Sequence, residues 1–225
     1  MMIVPGSAFF LKAASDPYWA NVVLLMHMDG VNDSTSFIDE TGKTITPFGA
    51  AKISTAQSKF GGASAYFSGV TNDYLRTPTS GDFQFDLGTA YTIEYYIYLP
   101  SAINSKILLG NSRSPWIWHR QWTQTSVGLY LHGSEPSGTT VANTWHHIAL
   151  VFDGTNAKRY IDGICVDINA QAPNPGDDFF SIGGGTTASG GATGPECYID
   201  ELRITKGVAR YTADFTVPST PFPNY

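Results

Sequence analysis

The sequence predicts an all-β protein, a two-sheet antiparallel β-sandwich of jelly-roll type, and three observations carry that prediction. Helical periodicity is nearly absent along the 225 residues. Short apolar or alternating runs recur instead, closed by Gly, Pro, Asn or Asp clusters. Two Asp-Gly pairs, Asp153-Gly154 and Asp162-Gly163, mark turns. The second sits between two β-rich runs, where a two-residue type I′ hairpin needs positive φ at both positions. A chain of this length suits one large all-β domain.

In chain order, strands are expected at 22–28, 63–67, 91–99, 106–109, 116–122, 127–132, 145–152, 157–161, 164–168, 179–182 and 197–205. The alternation assigns faces. In 91–99, Tyr91, Ile93, Tyr95, Ile97 and Leu99 share one side, and Thr92, Glu94, Tyr96 and Tyr98 the other. In 145–152, His146, Ile148, Leu150 and Phe152 oppose Trp145, His147, Ala149 and Val151. Neither strand has a fully polar face, so both belong in the middle of a sheet with a further layer outside. Residues 207–214 are the one expected helical piece. The Gly/Thr/Ser-rich stretch 183–195 is expected to be either a mobile rim loop or a loop ordered by a partner.

Charged residues make up only 14% of the chain and the net charge is -6. Such a surface, built from Ser, Thr, Asn, Gln and Gly, suits protein assembly or neutral sugars. No Lys/Arg stripe offsets the negative charge, so nucleic acid is not an expected partner. The opening MMIVPGSAFFLKAASDPYW lacks the form of a secretory signal, and no apolar run approaches membrane-spanning length, so no membrane insertion is expected. Cys165 and Cys197 have no CxxC spacing. They are expected as free buried thiols, with a bridge between strands as the alternative.

Six motifs in order resemble laminin-G-like domains of the concanavalin A-like lectin/glucanase superfamily. They are VVLLMHMDG (22–30), ISTAQSKFGGASAYF (53–67), YTIEYYIYLP (91–100), NTWHHIALVFDG (143–154), KRYIDG (158–163) and CYIDELRITKGVARYTADFTVP (197–218). Tyr95 or Tyr96 stands where the family's third motif usually has Trp. The resemblance spans 16–218 and implies a concanavalin A-like jelly roll. It divides the chain into an arm (1–18), the sandwich (19–218) and a tail (219–225). The opening DPYWANVVLL and the ending KGVARYTADF resemble laminin-G-like proteins of tailed bacteriophages. That likeness implies a virion component made in the bacterial host cytoplasm, with other virion subunits as partners in a homo-oligomeric or multi-copy assembly, and surface polysaccharide as a further partner.

The resemblance also implies a structural Ca²⁺ between the first and last strands, on the carboxylates of Asp29 and Asp200 with the backbone carbonyls of Gly61 and Gly62. Ca²⁺ takes six to eight oxygens. Against it, Asp-Gly is a strong turn pair in its own right. Catalysis is not expected. The superfold's glucanases carry period-2 carboxylates aimed into one cleft, and no such run occurs here. Asp200 and Glu201 are adjacent, which in a regular strand points them to opposite faces.

Two further segments are candidates. In SPWIWHRQWTQ, a strand places Trp116, Trp118, Arg120 and Trp122 on one face, a pattern for a glycan or an interface, since an arginine buried among tryptophans needs a partner. The arm carries Phe9, Phe10 and Leu11, apolar groups expected to dock on a neighbouring subunit or on the sandwich. Three functions follow: a non-enzymatic virion component for assembly and host-surface attachment; a lectin module with its own glycan pocket; and, least supported, a glycoside hydrolase.

Overall fold

The computed structural model describes residues 15–85, 88–101, 106–110, 118–123, 126–130, 140–169, 179–184 and 194–225, with the backbone alone for 106–107, 118–123, 126–130 and 169. Among these residues the only helical pieces are two 3₁₀ turns, Trp19–Asn21 and Gly81–Phe83. The strands are β1 (Val22–Met26), β2 (Thr46–Phe48), β3 (Lys52–Ser54), β4 (Ser64–Ser68), β5 (Tyr74–Arg76), β6 (Tyr91–Tyr98), β7 (Lys106–Ile107), β8 (Leu109–Gly110), β9 (Trp118–Thr123), β10 (Ser126–Tyr130), β11 (Trp145–Phe152), β12 (Ala157–Ile161), β13 (Ile164–Asn169), β14 (Ser181–Ile182) and β15 (Glu196–Lys206).

They form an antiparallel eight-stranded sheet in the order β13-β12-β11-β6-β15-β4-β3, with β1 also pairing to β15, a four-stranded sheet β2-β5-β14-β8, and a three-stranded sheet β10-β9-β7. The predicted all-β sandwich is the fold observed. Its core lies between the eight- and four-stranded sheets. Ile93, Tyr95, Ile97, Ile148, Leu150 and Phe152 from β6 and β11 meet Leu75, Leu109, Phe180 and Ile182 in one buried cluster. Burying each large apolar side chain is worth about 1.5–3 kcal/mol relative to exposure.

The other faces of β6 and β11 are largely buried because the chain's own end covers them. The segment 207–225 runs back over the outer side of the large sheet as a strap. Ala149, Val151 and Tyr160 pack under Ala209, Tyr211 and Phe215. Val22, Leu25 and Tyr96 pack with Phe222, Val217, Trp19, Phe60 and Trp145. The strap needs a close approach at one turn. Asp162 (φ 51°) and Gly163 (φ 80°) both take positive φ, as expected of the hairpin pair. The Gly163 carbonyl accepts the N–H of Phe215, and a Cβ on Gly163 would lie 2.1 Å from the Phe215 carbonyl oxygen.

Three expectations are corrected. Residues 207–214 form no helix: Thr92 Oγ1 donates to the Val208 carbonyl and accepts the N–H of Arg210, so the strap bonds to the sheet rather than to itself. Strands β2, β3 and β5 were not expected; three residues each are too few to display a period of two. Asp16 is buried by the strap and β15, its N–H bonds the Tyr225 carbonyl at 2.8 Å, and Phe222 in the tail is 3% exposed. Both cysteines are free, Cys197 in the core and Cys165 half-buried on the outer face, rather than both buried.

Candidate functional site

The candidate cation site forms where the end of β1, the middle of β15 and the loop 59–63 converge. The loop is the bridge. Lys59 and Phe60 donate their backbone N–H groups to Asp200 Oδ2 at 2.7 and 3.1 Å. Two residues on, the Asp29 carboxylate rests against Gly61, where a Cβ would lie 2.0 Å from either oxygen. Gly61 has φ 61°, so both its conformation and its neighbour require glycine there. The N–H of Ala63 bonds Asp29 as well. Gly62, at φ 97°, completes the turn.

Burial raises the carboxyl of Asp29 above the ordinary range. Asp200 is fully buried, and that burial lifts its carboxyl to about 7; the N–H groups of Phe60 and Lys59 oppose the rise, and the charges of Glu201 and Asp29 add to it. Its second oxygen, Oδ1, is buried with no hydrogen-bond partner among the described residues. An acidic pair with an orphaned buried oxygen suits a hard cation. No group of three or more His, Cys, Asp or Glu among the described residues is placed to hold a metal. The acidic groups that meet here are the carboxylates of Asp29 and Asp200, oxygen ligands of the kind a hard cation takes.

Adjacent Asp200 and Glu201 do not point to opposite faces, contrary to the sequence expectation. On β15, Asp200 pairs with Tyr96 and Arg203 with Glu94, so one extra residue is inserted. This is a β-bulge, and Glu201 occupies it with φ 52°. Both carboxylates consequently lie on the outer side, while Ile199 and Leu202 stay in the core. Glu201 Oε1 pairs with His27 Nδ1 at 2.8 Å, and Oε2 accepts the N–H of Phe222 at 2.8 Å. The hydrogen bond to Glu201 raises His27, with smaller contributions from Glu40 and Asp29. A pocket of about 200 Å³ opens beside this edge, lined by His27, Met28, Asp29, Ile38 and Glu40. His27 and Glu40 were not singled out in the sequence, where Glu201 was named only as the strand neighbour of Asp200. His27 lies between two methionines in MHMDG, and Glu201 was read without its bulge.

A second polar cluster fastens the strap. Arg203 donates to Glu94 Oε1 through Nε and Nη2 at 3.0 and 2.8 Å, and through Nη1 to Asp16 at 2.9 Å. Arg210 donates to both oxygens of Asp16, and Tyr211 donates its hydroxyl to Glu94 Oε2 at 2.7 Å. Burial alone would raise Glu94; the Arg203 guanidinium, with His147 and Arg210, outweighs it and holds the carboxyl at about 2.

The remaining candidates fall elsewhere. Phe9, Phe10, Leu11 and Trp116 lie outside the described residues. Trp118, Arg120 and Trp122 occupy alternate positions of β9, in the three-stranded sheet and apart from the cation site's sheet.

A family model described as the concanavalin A-like lectin/glucanases superfamily, of laminin-G type, matches residues 67–210. No curated protein sequence matches. Among solved structures, the binding domain of Paraclostridial Mosquitocidal Protein 1 is similar at TM-score 0.63 and 11% identity, over 90% of this chain and 51% of that one. The Botulinum neurotoxin serotype G binding domain is similar at TM-score 0.59 and 10% identity, over 87% and 49%. Domain 4 of AbnA, a GH43 extracellular arabinanase from Geobacillus stearothermophilus, in complex with arabinotriose, is similar at TM-score 0.56 and 17% identity, over 83% and 93%. The chain spans about half the length of the two toxin chains, and likeness at these identities shows the fold alone.

Proposed function

The chain belongs to the concanavalin A-like lectin/glucanase superfamily, and from that premise we propose that it works by binding, as a non-enzymatic, multi-copy component of a tailed-bacteriophage particle, whose sandwich mediates assembly and attachment to host-surface glycan. It would be made in the host cytoplasm and act in the virion. The observation that carries the binding half is the state of the large sheet's outer face. Its central acid, Glu94, is wholly buried, doubly bonded to Arg203 and covered by the strap. A carboxyl held at about 2 is a poor proton donor at neutral pH, which argues against a general acid there. The phage half rests on the DPYWANVVLL and KGVARYTADF motifs and on the sparse charge.

A structural Ca²⁺ belongs to this reading. Asp29 and Asp200 would hold it, with the carbonyls of Gly61 or Gly62. When bound, the ion would neutralise the acidic pair and tie the loop 59–63 to β1 and β15. Partners are other virion subunits and surface polysaccharide.

Quantitative mass spectrometry of purified particles tests the reading. Many copies of the chain per particle are expected; its absence from particles would overturn the virion assignment. Release of reducing sugar from soluble glycans by the purified chain would instead revive the hydrolase. The second reading, a lectin with its own glycan pocket, is favoured by the pocket at His27, Asp29 and Glu40.

A further inference from the structure

Four aromatic side chains form a row across the outer face of the large sheet. In register, Tyr66 on β4 faces Tyr198 on β15, Tyr198 faces Tyr98 on β6, and Tyr98 faces Trp145 on β11. Successive ring centroids are 4.9, 5.9 and 5.7 Å apart, close to the strand spacing of about 4.8 Å. All four rings remain partly exposed. One residue pair further along β6, Tyr96 is buried beneath Phe222 and donates its hydroxyl to the Pro218 carbonyl. The strap therefore covers the sheet up to this row, with Trp145 packed against the strap's cluster, and leaves the four rings partly open on the other side.

We propose that the row is a glycan subsite that takes one extended chain of neutral sugar rings. The proposal rests on the reading of the chain as a binding module and locates where it binds. Rigid amphipathic rings offer contact area at little entropic cost, and the C–H faces of pyranoses stack on them. The ring-to-ring step is comparable with the repeat of an extended sugar chain. Tilts of 43°, 80° and 52° between neighbours keep the rings from forming a flat platform, so the row suits a single twisted chain and not a crystalline surface. Polar groups edge it. Tyr66 donates its hydroxyl to Glu196 and Tyr98 to Asn143, and both acceptors are exposed where sugar hydroxyls would meet them. Charge selects the neutral class: Glu196 stands at one end, the chain carries -6, and Lys52, near the Tyr66 ring, is paired with Asp33.

Affinity electrophoresis of the full chain with calcium, in gels cast with mixed-linkage β-glucan, xylan, galactomannan or alginate, tests the proposal. Retardation by at least one neutral polysaccharide and not by polyanionic alginate is expected. Tyr198→Ala and Trp145→Ala should each weaken it about tenfold, the ~1.4 kcal/mol expected of one stacked ring. Tyr198→Phe and Trp145→Phe should retain it, and unchanged thermal midpoints in the Phe variants separate lost stacking from lost folding. Retardation equal in wild type and both Ala variants would put the glycan elsewhere, overturning the row and sparing the binding-module reading. No retardation by any neutral polysaccharide, or dimerisation that Tyr198→Ala abolishes, would overturn the row as a glycan site; particle composition then decides the wider reading by itself.

Discussion

Asp200 carries opposing demands. It accepts two backbone N–H groups through one oxygen and leaves the other buried and unbonded among the described residues. In the absence of a cation its negative charge is unfavourable, because burial and the neighbouring acids work against it. Asp200→Asn keeps an acceptor for Lys59 and Phe60 and removes the charge. In calcium-free buffer at pH 8 the variant is expected to melt at a higher temperature than wild type, and added CaCl₂ should no longer shift its midpoint. Calorimetry checks both. A wild type indifferent to CaCl₂, with Asp200→Asn the less stable of the two, would remove the case for the cation.

At the scale of elements, the strap is the feature most exposed to a single change. Gly163→Ala places a Cβ into the Phe215 carbonyl at positive φ. The left-handed conformation alone costs roughly 1–2 kcal/mol in a non-glycine residue, and the displaced strap adds the lost contacts of Tyr211 and Phe215. A loss of about 2 kcal/mol or more in urea unfolding is expected; an unchanged midpoint would show that the strap contributes little. The arm makes a different prediction. Burial of Phe9, Phe10 and Leu11 at about 1.5–3 kcal/mol each is close to the backbone entropy of ordering a short segment, about 1–2 kcal/mol per residue. On the proposed assembly role, a docking site for the arm would have to supply backbone hydrogen bonds too, as an added strand at a neighbour's edge does. Deleting residues 1–15 is expected to leave a folded sandwich that fails to enter the particle or oligomer. Normal incorporation of the truncated chain would show that the arm is not an assembly element.

For the molecule as a whole, the two polar clusters set opposite pH dependences. Asp200 lies above its ordinary 3.8, so the folded chain holds a proton that the unfolded chain has released, and this advantage disappears as pH rises from about 4 through about 7. His27, raised above 6.5, contributes stability that is full below that value and lost as pH climbs through its folded value. Glu94, at about 2 against 4.5, contributes stability that is present above 4.5 and lost as pH falls toward 2, and Asp16 acts in the same sense. Calcium-free protein should therefore be most stable between about pH 4 and 4.5, declining on both sides, with CaCl₂ restoring the alkaline side. A thermal midpoint flat from pH 5 to 8 without calcium would contradict this balance.

The sequence by itself determined the sandwich, the central place of β6 and β11, and the Asp162-Gly163 hairpin, because alternation and turn chemistry are local and repeat over enough residues to be read. It also named Asp29, Gly61, Gly62 and Asp200 through ordered motifs. Only the tertiary structure decided that residues 207–225 close over the outer sheet face in extended form. A strap bonded to side chains such as Thr92 carries no period of its own. Nor could alternation place Glu201, since one inserted residue at positive φ turns it to the side of Asp200 and brings it to His27, 174 positions away. The aromatic row was equally hidden: Tyr66, Tyr98, Trp145 and Tyr198 are scattered along the chain, and only the register of four strands sets them side by side. Local rules fix which residues face which side, whereas neighbours across strands depend on the pairing order, which no local pattern records.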